Sequence, residues 1–200
     1  MVRRLPGRLK KTNTLWIFCE GHTEKRYFEN IRITERLRLK IKSKVSDTTA
    51  KQIVEEASKF MGSKDFDNDR DIIACFFDKD NETQNSDEVL TQAKNQAGNK
   101  ILLAYSNPCF EYWILCHKGY YPSESYDQDQ VYNLVKQKLK IDTKKELKLY
   151  EKTKDNINVA KINAKKIQEK HENKNIELIS RDSTPLTLVY KIVELIDEFK

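Results

Sequence analysis

The sequence predicts an α/β fold: a small parallel sheet with helices on both faces, followed by a helical C-terminal extension. Three apolar runs carry this prediction, Leu15–Cys19, Ile72–Phe77 and Ile101–Tyr105. Each is too short for a helix and lacks alternation, as expected of strands buried on both faces. Each is followed by a stretch with helical spacing, and strands alternating with helices make a parallel sheet.

In chain order, residues 1–13 form a basic arm, with Arg3, Arg4, Arg8, Lys10 and Lys11 around Pro6 and Gly7. The arm could lie along a nucleic-acid backbone or simply lead into the first strand. After Leu15–Cys19, the turn Glu20-Gly21-His22-Thr23 opens a helix reaching about Leu37. Thr23 is its expected N-cap, and Gly21 allows a positive φ or a close approach. Residues 38–45 alternate strictly, which predicts a half-exposed edge strand guarded by its lysines. A helix follows over Thr49–Phe60. The stretch Asp65–Asp71 imitates a calcium loop, but Arg70 stands where the turn needs Gly and Phe76 where a bidentate Glu belongs. It is read as a polar loop leading into the strand at Ile72.

Ser86 caps a helix ending at Ala97, and Gly98-Asn99 stops it. Beyond the third strand, Asn107 as cap and Pro108 at the first position predict a helix to His117. Three polar helices are expected at about 127–139, 142–154 and 156–172, then a short strand or extended piece at 176–179. A last helix is expected from about 184 to 199, with Pro185 in its first turn and Leu188, Ile192, Leu195 and Ile196 facing inward. The predicted organisation is an arm (1–13), an α/β domain (14–125) and a helical extension packing on it (126–200).

Two hundred residues are ample for one core, and clustering of the 38% apolar residues argues against disorder despite 34% charge. The four cysteines form no C-x-x-C pair, so they are expected to be reduced thiols; the three histidines lie at no zinc-finger spacing from them. No apolar run approaches bilayer length and no leader core precedes Thr14, so a soluble, cytoplasmic protein is expected. The net charge of +6 is unevenly distributed: residues 1–40 carry +7, residues 41–133 carry −6 and residues 134–200 carry +5. An acidic middle between two basic ends suits a metal centre within phosphate-attracting surfaces.

The acids at the strand ends are the chemical signal. Ile72–Phe77 runs into Asp78-Lys79-Asp80, and Leu15–Cys19 into Glu20. Ligands of open α/β sheets bind beyond the carboxyl ends of the strands. Asp78 and Asp80 leave one side of an extended chain together and can offer oxygens to one hard cation. Mg²⁺, or Mn²⁺ in its place, is the expected cofactor, with Glu20 as a further ligand or a general base. Acids are common at the starts of loops, but three at separate strand-end positions are harder to dismiss. Glu111 is accounted for by the helix dipole alone, although its place beside the same sheet edge leaves a supporting catalytic role open. A Cys109–His117 nucleophile pair is unpromising, because the spacing puts them on different faces of a helix. There is neither a P-loop nor a G-x-G-x-x-G sequence.

The segments Cys19-Glu20-Gly21-His22-Thr23-Glu24, Phe77-Asp78-Lys79-Asp80 and Ser106–His117 resemble the RloB family of bacterial phage-defence proteins, in order and spacing over about residues 14–118. Members are similar to Toprim domains, the metal-binding catalytic modules of topoisomerases, primases and certain nucleases. The resemblance implies a Toprim-like, Rossmann-like fold, with Glu20 matching the Toprim glutamate and Asp78 and Asp80 its D-x-D pair. It also implies a nuclease acting in abortive infection, and a separate ATPase or sensor as a plausible partner. Lys25, Arg26, Arg3 and Arg4 are the expected contacts to the nucleic-acid backbone. The alternatives are a non-catalytic partner or sensor module of the same shape, and a basic nucleic-acid-binding protein. RNA, tRNA or DNA as substrate, and a monomer or homodimer as active form, stay open.

Overall fold

The computed structural model describes residues 14–43, 48–79 and 84–198. The first half alternates β1 (Leu15–Cys19), α1 (His22–Thr34), β2 (Leu39–Ser43), α2 (Ala50–Met61), β3 (Ile72–Asp78), α3 (Asp87–Ala97), β4 (Ile101–Asn107) and α4 (Glu111–Cys116). The second half contributes α5 (Gln128–Leu139), α6 (Leu149–Thr153), a 3₁₀ turn, α7 (Ile157–Asn173), β5 (Leu186–Thr187) and α8 (Val189–Glu198). The sheet order is β2-β1-β3-β4-β5; β1 to β4 are parallel and β5 is antiparallel to β4. The expected parallel α/β sheet flanked by helices is therefore present.

Right-handed crossovers place α1 on one face of the sheet and α2 and α3 on the other, because the chain leaves β1 and β2 in opposite directions. The aromatic contacts agree. Phe28 of α1 packs on Phe76 (centroids 4.5 Å apart), whereas Phe60 of α2 packs on Trp16 (4.3 Å), whose side chain leaves the opposite face. Lys42 of the edge strand β2 lays its ammonium 3.6 Å from the Phe60 centroid, so an edge lysine also roofs an apolar cluster. Thr49 and Gln52 form a capping box on α2, and Ser86 caps α3 through Val89 N–H.

The structure departs from the sequence expectation in four places. Helix α1 is capped at Gly21 and not at Thr23, since the chain is already helical at His22. Strand β4 runs on through Asn107, so α4 starts at Glu111; the Asn107 side chain reaches a later loop and does not cap. Of the helix expected over 142–154 only Leu149–Thr153 forms, because the Thr143 and Lys144 carbonyls accept hydrogen bonds from Arg26 (3.2 and 3.0 Å) in place of a helical ladder. Residues 176–179 form no strand. The strand lies ten residues later, where Leu186 and Thr187 pair with β4, and α8 waits until Val189. Leu188, Ile192 and Ile196 are buried as expected. No helix among the described residues is long and apolar enough to cross a membrane.

The would-be calcium loop fastens the start of the sheet. Asp71 accepts hydrogen bonds from Trp16 Nε1 (2.9 Å), Thr14 N (3.3 Å) and Asp67 N (3.2 Å), tying β1 to β3. Leaving a buried donor unsatisfied costs about 1–3 kcal/mol. Asp71→Ala is therefore expected to lower stability by about 2 kcal/mol in urea unfolding. A loss below about 0.5 kcal/mol would remove Asp71 from this fastening role.

Candidate functional site

The strand order reverses between β1 and β3, since β1 is followed by its neighbour on one side and the chain then crosses to the other. Connections leaving adjacent strands in opposite directions open a crevice beyond their carboxyl ends, where ligands of such sheets bind. Cys19 is in register with Phe76, so Glu20 stands level with Phe77 and Asp78 comes one residue beyond. Neighbouring strands are about 4.8 Å apart. The fold thus brings Glu20 and Asp78 to adjoining strand ends at this switch point.

Asp78 is half-buried and held by its surroundings. Its Oδ2 accepts the Phe110 amide (3.0 Å), and its carbonyl accepts Asn85 Nδ2 (2.8 Å). Asn85 is itself fully buried and accepts Ala50 N–H at 2.8 Å. Lys79 donates its amide to Ser106 O and its ammonium to Thr184 Oγ1 (3.1 Å), which donates to Asn107 Oδ1 (2.7 Å). The Arg181 guanidinium then bridges the Lys79 and Asn85 carbonyls at 3.2 and 3.0 Å. The loop before β5 therefore grips the residues on either side of 80–83. Asp80, like Arg3 and Arg4, lies outside the described residues.

Gly21 serves a close approach and not a positive φ: its φ is −85°, and a Cβ there would lie 2.0 Å from Oε2 of Glu24, so the buried Glu24 carboxylate would have to move off the turn. Lys25 and Arg26 follow in the first turns of α1. Arg26 directs Nε to His22 O and the other two nitrogens to the 143–144 carbonyls, so it braces that loop against α1.

Glu111 is 2% exposed at the start of α4. Burial raises its carboxyl above the ordinary range, partly offset by hydrogen bonds from its own backbone, Thr143, Cys109 and Thr23. None of these reaches Oε1, which is buried without a partner. The Cys109 thiol is pushed up by burial and then by the charges of Glu111 and Asp78. Cys109 is thus a protonated thiol and no nucleophile. His117 donates Nδ1–H to Trp113 O at 3.0 Å, and burial lowers it to about 4, leaving a neutral packed ring.

All four cysteines are buried, so the crevice offers carboxylate oxygen and not thiolate, a donor set suited to a hard divalent ion. Among the described residues no group of three or more His, Cys, Asp or Glu is close enough to hold a metal. Glu20 and Asp78 are two such oxygens, and magnesium characteristically takes one or two carboxylates and fills its octahedron with water and phosphate. Sequence reading missed Asn85, Thr143, Arg181 and Thr184, and took Asn107 for a helix cap. Each is an ordinary polar residue with a partner tens of residues away, so local spacing carries no signal for that contact.

Charging Glu111 opposes folding, because its folded carboxyl is raised above the unfolded one. The penalty is absent below the unfolded value, where both states are protonated, and grows as pH rises towards the folded value. In a chelator, Glu111→Gln is expected to melt close to wild type at pH 4 and progressively above it towards pH 8. A gap that does not widen with pH would show that the carboxylate is satisfied where it lies.

Neither curated proteins nor solved structures gave a match to the chain. The family model described as RloB-like protein matches residues 15–196, which takes in every strand and all but the last turn of α8. With its sheet, its switch-point acids and its closing C-terminal loop all inside that match, the chain belongs to the RloB-like protein family.

Proposed function

We propose that this RloB-like protein is a divalent-metal-dependent phosphodiester hydrolase acting on nucleic acid. The observation that carries the reading is the arrival of Glu20 and Asp78 on adjoining strand ends at the switch point of the sheet. Asp78 and Asp80 would hold Mg²⁺ or Mn²⁺, with Glu20 as ligand or general base. A metal bound there supplies Lewis-acid polarisation of the phosphoryl oxygen and an activated water. The chain's own part is to fix the acids: the Phe110 amide orients one Asp78 oxygen, Asn85 and Arg181 set the backbone on either side, and Thr184 accepts the Lys79 ammonium. Glu111, buried and raised, would act as a neutral neighbour that keeps the local negative charge down.

The Toprim-like character of the site, a role in abortive infection, a cytoplasmic setting and regulation by a partner ATPase or sensor belong to the same proposal, on the strength of the motifs at Glu20, Asp78 and Ser106–His117.

With Mg²⁺ or Mn²⁺ the purified protein is expected to cleave RNA, tRNA or DNA. Asp78→Asn should slow cleavage by about 10²-fold or more, the scale of losing one charge-stabilising group, while the melting temperature holds. Titration calorimetry should show weaker Mg²⁺ binding in that variant. Equal cleavage by Asp78→Asn would sink the assignment. Salt-dependent binding with no hydrolysis in any metal would instead mark a nucleic-acid-binding protein.

A further inference from the structure

Beside the acidic crevice lies a second feature that the hydrolase reading leaves unused. A cleft of about 340 Å³ opens between α5 and the loop 141–144. Its wall is shared with the site. Thr143, which lines the cleft, is buried and lies near enough to Glu111 to lower its carboxyl against the effect of burial. Tyr132, on the α5 side, is close enough to Glu111, Cys109 and Asp78 for their charges to raise its hydroxyl, although burial is the larger cause. Arg26 pins the Thr143 and Lys144 carbonyls to α1 (3.2 and 3.0 Å), so the loop is fixed to the helix that follows Glu20.

The lining has the chemistry of a nucleotide. Tyr132 is oriented by Gln128, whose Nε2 donates to its hydroxyl at 3.2 Å. Over the ring stands the ammonium of the exposed Lys144, 4.5 Å from the centroid. An aromatic face roofed by a flexible cation is one a base can stack on, and the displaced ammonium can then reach that nucleotide's phosphate. Lys136 adds a second positive charge, and Asn133 a donor and an acceptor for a base edge. Asp129 and Asp142 are acceptors suited to exocyclic amino groups rather than to phosphate. The volume lies at the small end of the roughly 300–1,000 Å³ of ligand pockets, room for one nucleotide and not for a duplex. A paired base keeps its faces stacked inside the helix, so a one-ring platform selects an unpaired one.

We propose that this cleft is the nucleotide subsite next to the scissile phosphate, and that the substrate is single-stranded nucleic acid or a nucleotide splayed from a loop. Its base stacks on Tyr132, and its phosphate lies between Lys136 and Lys144. The inference rests on the hydrolase reading for the word scissile, but the subsite itself is tested by binding alone.

The experiment uses the full chain carrying Asp78→Asn and a labelled twelve-nucleotide strand, single or in a hairpin duplex, read by fluorescence anisotropy without divalent metal. Single strand should bind more tightly than duplex. Tyr132→Leu should weaken single-strand binding about tenfold, within the range of losing one stacked base, and Tyr132→Phe should restore it. Lys136→Gln, an exposed change that leaves the fold alone, should weaken binding and flatten its salt dependence. Duplex preference, or unchanged single-strand binding in both Tyr132→Leu and Lys136→Gln, overturns the subsite. In the otherwise wild-type chain the two readings separate. Cleavage that is indifferent to Tyr132→Leu, with binding equally indifferent, removes the subsite and keeps the hydrolase. Tyr132-dependent binding without cleavage in any metal keeps the subsite and removes the hydrolase.

Discussion

One geometric constraint organises the molecule: a parallel sheet whose connections run outward in both directions must leave one pair of neighbouring strands with no helix between their carboxyl ends. Here that pair is β1, buried throughout, and β3, buried at every residue but its two ends. Their interiors are apolar because helices cover both faces, and polarity can begin only where cover ends. Glu20 and Asp78 are the first residues free of that cover. The acids are thus a consequence of where the sheet stops being a core, and their nearness follows from the register between Cys19 and Phe76.

Holding two carboxylates at such a point needs rigid support, because their mutual repulsion favours any motion that parts them. The support comes from both ends of the chain. At the amino end of the strands, Asp71 ties Thr14 and Trp16 to the start of β3. At the carboxyl end, Arg181 holds the Lys79 and Asn85 carbonyls, and Thr184 accepts the Lys79 ammonium. The C-terminal region therefore supplies more than a cover: β5 pairs with β4, and its preceding loop ties back to the acidic strand end.

How much of this was legible in the sequence depended on whether the cause was local. Ile72–Phe77 and Leu15–Cys19 declared themselves as strands because burial on both faces leaves a continuous apolar run. Ser86 and Thr49 were readable as helix starts, since capping is decided within four residues. Asn107-Pro108 looked like a helix start on the same logic, yet the Asn107 amide reaches Ser180 and Arg181, more than seventy residues on. The segment 142–148 had helical composition and lost its helix to Arg26, over a hundred residues earlier. Glu20 and Asp78 could be picked out because strand ends are visible. The grip of Asn85, Arg181 and Thr184 could not, because no spacing rule connects residues that meet only after the sheet has formed.

The uneven charge of the chain gains a spatial meaning once the fold is known. The acidic segment 41–133 supplies Asp78 and Glu111, while the basic segments on either side supply Lys25, Arg26, Lys136 and Lys144. Two carboxyl groups in that small region meet different surroundings. Asp78 is half-buried and receives a backbone N–H, whereas Glu111, buried with an unsatisfied oxygen, is driven towards its neutral form. Were both to ionise, repulsion would add to the desolvation already present. A neutral Glu111 leaves the strand ends, where the cover of the core stops, as the place for negative charge. Of the basic groups, Lys136 and Lys144 stay exposed, while Arg26 is engaged by the His22, Thr143 and Lys144 carbonyls and serves the fold.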